Sequence, residues 1–95
     1  MQRLIDFFDR IRDDARITTA HISLYTALWK LRKDKENMEP LYIFSHEVMP
    51  VCKISSYSTY HKTIRQLHEF GYINYVPSFN HFTGSVIEFT VLKKT

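Results

Sequence analysis

Glycine and proline are scarce in this chain, with two glycines and three prolines among 95 residues. That scarcity, in a composition this hydrophobic, argues against disorder. It also leaves too little glycine for a phosphate-cradling loop or a dinucleotide fingerprint, and no Gly-x-Ser-x-Gly elbow occurs. Cysteine is scarcer still. Cys52 stands alone, so no intrachain disulfide can form, and a reducing cytoplasm is the simplest home. No apolar run approaches the roughly 20 residues that span a bilayer. The opening "MQRLIDFFDR" mixes acids and bases among its apolar residues, unlike a signal peptide. The expectation is a cytoplasmic protein with no membrane contact.

What the chain does have is hydrophobic and aromatic mass. Hydrophobic residues make up 44%, and seven Phe, six Tyr and one Trp supply much burial per residue. Such a composition folds, and its length suits one compact domain over residues 1–95. The net charge of +3 is modest, but its distribution is uneven. Residues 1–40 hold eight bases and seven acids, which reads as solvated helix faces. Residues 48–68 hold Lys53, Lys62 and Arg65, with His61 and His68, and no acid.

Hydrophobic periodicity orders the elements. Leu4, Ile5, Phe7, Phe8 and Ile11 recur at helical spacing and predict an amphipathic helix from Gln2 to about Arg12. Thr18 or Thr19 can cap a second helix reaching about Lys33, with Ile22, Leu24, Tyr25, Leu28, Trp29 and Leu31 as its apolar set. Pro40 closes a polar connector, and "LYIF" is a short strand-compatible run. Ser45 can cap a short helix from His46 whose buried face is Val48, Met49, Val51 and Cys52, with Pro50 tolerated only in the first turn.

Ser55 or Ser56 then caps a helix with a narrow stripe of Tyr60, Ile64, Leu67 and Phe70, and Gly71 is placed to end it. "YINYV" and "SVIEFTVL" alternate as strands on either side of the turn-rich "PSFNHFTG", which makes a β-hairpin.

That order of elements, over residues 44–92, resembles the winged helix-turn-helix domain. The ending "LHEFGYI" is similar to the end of the recognition helix in many bacterial transcriptional regulators. "STYH" and "PSFNHFTGS" look like the "STYY" and "PSYNP..GS" of small winged-helix proteins from bacterial mobile elements and replication modules. The fold implied is α+β: a three-helix core with a C-terminal hairpin wing over residues 19–92, preceded by an accessory helix in residues 1–14.

The resemblance implies double-stranded DNA as partner, with helix 56–70 in the major groove. Hydrogen-bonding side chains there would face base edges, and a phosphate backbone would repel any carboxylate. Ser56, Tyr57, Ser58, His61 and Lys62 are suitable groups, with Arg65 and Lys53 as phosphate contacts. Asn80 and His81 are the wing's candidates, because "SFNHFTGS" carries no Lys or Arg. A homodimer through Leu4, Phe7, Phe8 and Ile11 would present two such helices to half-sites roughly 34 Å apart. The rival expectation is a protein-interaction module using the aromatics Tyr57, Phe79 and Phe82.

Metal and catalytic readings fare worse. His61 and His68 are seven residues apart, not the adjacent-turn pair of a helical metal site, and His46 with Cys52 has no second pair. Cys52 falls on an apolar helix face, where burial keeps a thiol inert. No cofactor is implied, and an enzyme is not expected.

Overall fold

The structure is a computed structural model that describes residues 2–37, 39–78 and 84–92. Its elements run α1 (Gln2–Ile11), α2 (Thr19–Asp34), β1 (Leu41–Ile43), α3 (Ser45–Cys52), α4 (Tyr57–Glu69), β2 (Ile73–Val76) and β3 (Ser85–Phe89). Four helices therefore sit with a small antiparallel sheet. Its strand order is β1-β3-β2, with Leu41 opposite Ile87 and Tyr75 opposite the other side of Ile87. The architecture is α+β and is compatible with a winged helix.

Local chemistry explains the boundaries. Ahead of α2, the Thr18 N–H donates to His21 Nδ1 at 2.9 Å, so the cap is closed from inside the first turn by a histidine. The Ser56 hydroxyl accepts the Thr59 N–H at 3.3 Å and starts α4. Past the end of α4, Gly71 takes φ +87°, and the Tyr72 N–H returns to the Leu67 carbonyl at 2.9 Å.

The core is aromatic and joins α1 to the rest. Phe7 is fully buried, stacked on Tyr25 at 3.8 Å between ring centroids and edge-on to Tyr72 at 5.4 Å. Trp29 stacks on Phe89 at 4.1 Å and ties α2 to β3. Leu24, Leu28, Ile64, Leu67, Ile73 and Ile87 fill the space between helices and sheet. A second tie crosses beside Gly71. The Tyr72 hydroxyl donates to Asp14 Oδ2 at 2.7 Å, Arg16 grips the same carboxylate at 2.8 Å, and Arg16 also lies over the Phe70 ring.

Several expectations are corrected. Phe7 faces its own core, so it cannot belong to a dimer contact. Of the four residues assigned to such a contact only Phe8, 46% exposed, is open, while Leu4 and Ile11 are half-buried against the core. The short helix begins one residue early, at Ser45, because the Phe44 N–H finds the Glu47 carboxylate at 3.0 Å. Its buried face is narrower than expected: Val48 and Cys52, one turn apart, are inside, whereas Met49 is half-buried and Val51 is exposed.

Pro50 lies inside that helix and not in its first turn. The helix is only eight residues long and ends two residues after the proline, so the missing N–H costs a single backbone bond before the helix stops. The final strand stops at Phe89, since β1 and β2 offer only three and four residues to pair with it.

Candidate nucleic-acid interface

Helix α4 buries Tyr60, Thr63, Ile64 and Leu67, and this stripe decides what its other side presents. Thr63 is neutralised within the helix, its hydroxyl donating to the Thr59 carbonyl at 2.7 Å. Ser58, Lys62 and Arg65, spaced by four and three, fall on the exposed side, and Tyr57 at the helix start is 63% exposed. The first turn holds no acid.

Five of the eight cations in residues 1–40 are paired with acids. Arg3, Arg16, Lys30, Arg32 and Lys35 are each bound to a carboxylate within 3.2 Å. Among the described residues Lys53, Lys62 and Arg65 have no such partner, nor do Arg10, Arg12 and Lys33, but only the first three lie on a stretch without acid. Lys53 caps α3 in the left-handed conformation, φ +62°, with its side chain exposed. Arg65 donates only through Nε, to the His61 carbonyl at 3.3 Å, which leaves its terminal nitrogens free.

Other assigned residues have additional duties. The Ser56 oxygen is engaged by Thr59 N–H and lies 3.1 Å from the Ser58 hydroxyl, so capping is its first role. His61 is half-buried, its ring edge-on to Tyr57 at 4.3 Å and to Tyr60 at 5.1 Å. Burial, with a smaller contribution from the Arg65 charge, pushes its pKa below the ordinary histidine value. Asn80 and His81, with Phe79 and Phe82, lie outside the described residues.

Beside this helix runs a groove of about 1040 Å³, bounded by α4, the β1–α3 junction and the ends of β2 and β3. Sequence reasoning missed it. Tyr60 reads as part of the apolar stripe, and nothing in its spacing shows that it also forms a wall with Tyr75. The partnership of His21 with Gln66, at 2.8 Å, likewise joins residues 45 apart and leaves no sequence signal.

No protein-family model, curated protein or solved structure matches the chain. Among the described residues no group of three or more His, Cys, Asp or Glu is placed to hold a metal ion. None of their helices is long and apolar enough to cross a membrane. Burial raises the pKa of the Cys52 thiol above its ordinary value.

Proposed function

We propose that this protein is a winged-helix, sequence-specific binder of double-stranded DNA, with the exposed side of α4 in the major groove. It acts by occupying a site, as a bacterial transcriptional regulator or an accessory factor of a mobile element, and not as an enzyme. The observation that carries this reading is the set of unpaired cations, Lys53, Lys62 and Arg65, on an acid-free stretch ending in a freely presented helix face. Unpaired cations retain their full attraction for phosphate, and the positive end of α4 adds to it. Ser58 and Tyr57 supply the groups that read base edges.

The test is fluorescence anisotropy of a labelled random duplex at two salt concentrations. Binding that weakens steeply with salt supports the reading. Absence of binding at low salt refutes it.

A protein-interaction module is the second reading, favoured by one observation: Tyr57, the most exposed aromatic of the described residues, crowns the same helix. An aromatic protein contact responds little to salt, so the same titration against a partner separates the two.

A further inference from the structure

The groove beside α4 is lined by one buried polar atom that the protein leaves unanswered and by a tyrosine hydroxyl that opens into it. Tyr60 is 2% exposed and lines the groove, yet its hydroxyl makes no hydrogen bond to any described residue. His61 lines the same groove, and its Nε2 is buried without a hydrogen-bond partner. Buried polar groups are nearly always paired, and an unmade bond costs the desolvation of the group. The buried His61 Nε2, on a ring 5.1 Å from that of Tyr60 with its open hydroxyl, marks a place where something other than the fold completes the bonding.

The chemistry of that missing partner can be narrowed. His61 has its pKa lowered by burial, so near neutral pH the ring is uncharged and offers one donor and one acceptor. That suits a neutral polar edge better than an anion. The walls are flat, with Tyr57, Tyr75 and the Phe44–His46 pair, whose rings stack at 5.3 Å and 21°. Flat aromatic walls favour a flat ligand by stacking.

Arg65, one turn beyond His61, lines the same groove with free terminal nitrogens, and the only acid among the described lining residues is Glu69. A nucleotide joins a flat, neutral, hydrogen-bonding ring to an anion and so fits this lining. A continuous duplex keeps its bases stacked and paired, so only an unpaired or extruded nucleotide can enter.

We propose that the groove between α4, the β1–α3 junction and the ends of β2 and β3 takes an unpaired nucleobase, its polar edge on Tyr60 and His61 and its phosphate on Arg65. The protein accordingly prefers DNA with an unpaired stretch over a continuous duplex. This rests on the DNA-binding reading and extends it to a substrate class. A volume of about 1040 Å³ accommodates a base with its sugar-phosphate.

The experiment compares anisotropy titrations of the full chain against a labelled duplex and against the same duplex with a central mismatched bubble. Both are run for the wild type, Tyr60→Phe and Tyr57→Ala. The bubble should bind about tenfold more tightly, the scale of a single base–aromatic stack. Tyr60→Phe removes one oxygen and keeps the ring in the core, and the bubble-to-duplex ratio should fall towards one in both variants. Equal affinity of the wild type for the two DNAs overturns the inference and leaves the duplex reading intact. A ratio unchanged in both variants also overturns it. Binding to neither DNA removes both readings together.

Discussion

His21 Nε2 lies 2.8 Å from Gln66 Oε1, a bond that joins the first turn of α2 to the exposed helix α4. The direction of the bond follows from the other side of the ring. Because Nδ1 accepts the Thr18 N–H, the hydrogen must sit on Nε2 and point at the Gln66 oxygen. One buried imidazole thus closes the α2 cap and holds α4 in place.

Gln66→Leu should therefore destabilise the protein. The substitution keeps the bulk but strands a buried N–H, at a cost of about 1 to 3 kcal/mol. Urea unfolding should show a lower midpoint with unchanged slope. An unchanged midpoint would mean that water reaches His21 and replaces the amide.

Phe7 and Phe8 are neighbours with opposite environments, and their truncation should separate them. Phe7→Ala removes a ring stacked on Tyr25 and should cost about 3 to 5 kcal/mol. Phe8→Ala trims a half-exposed ring and should cost well under half as much. Thermal unfolding of both variants checks whether α1 is integral to the domain. Equal small losses would show that it is dispensable.

Gly84 cannot tolerate a side chain. It holds φ +73°, and an added Cβ would lie 2.7 Å from the Ile43 carbonyl oxygen, a backbone atom of β1 that cannot step aside alone. Gly84→Ala should cost at least about 2 kcal/mol, from left-handed strain and overpacking together. Gly71→Ala meets nothing closer than Arg10 at 3.7 Å and should pay the strain alone. Denaturation midpoints falling in that order would support the assignment.

Acid should weaken the fold partly through Asp14. Its carboxyl is held well below the usual range, first by the hydrogen bond from Arg16 and further by that from Tyr72. A depressed folded pKa means that the stabilisation is fully present above the unfolded value, about 3.9, and is lost as pH falls through the folded value. The same contact works in reverse at high pH. Burial and the Asp14 contact push the Tyr72 hydroxyl up to about 12, so stability falls as pH rises from the ordinary tyrosine value towards it. Asp14→Asn should flatten the acid limb of a pH series of melting temperatures. An acid limb identical to the wild type would exclude this contribution.

Lys62→Ala should weaken binding to every duplex alike and reduce the salt slope by about 1. Ser58→Ala should instead change the ranking of sequences. An unchanged slope in the first variant would take Lys62 out of the interface, and uniform losses in the second would deny Ser58 a base-reading role.

Much of this was readable in the chain itself. The helical spacing of Tyr60, Ile64 and Leu67, the hydroxyl of Ser56 before them and Gly71 after them determine α4 by local rules: periodicity, capping and the left-handed freedom of glycine. The absence of acid across residues 48–68, and so the character of the exposed face, is also a property of sequence alone. Contacts between distant residues decided the rest. Whether Phe7 or Phe8 turns inward depends on Tyr25 and Tyr72, and whether His21 is buried depends on Gln66. β1 exists as a strand because β3 offers it a free edge. The groove with its unanswered His61 nitrogen is made where α4, the β1–α3 junction and the ends of β2 and β3 meet, and a space between elements has no spacing of its own for a sequence to display.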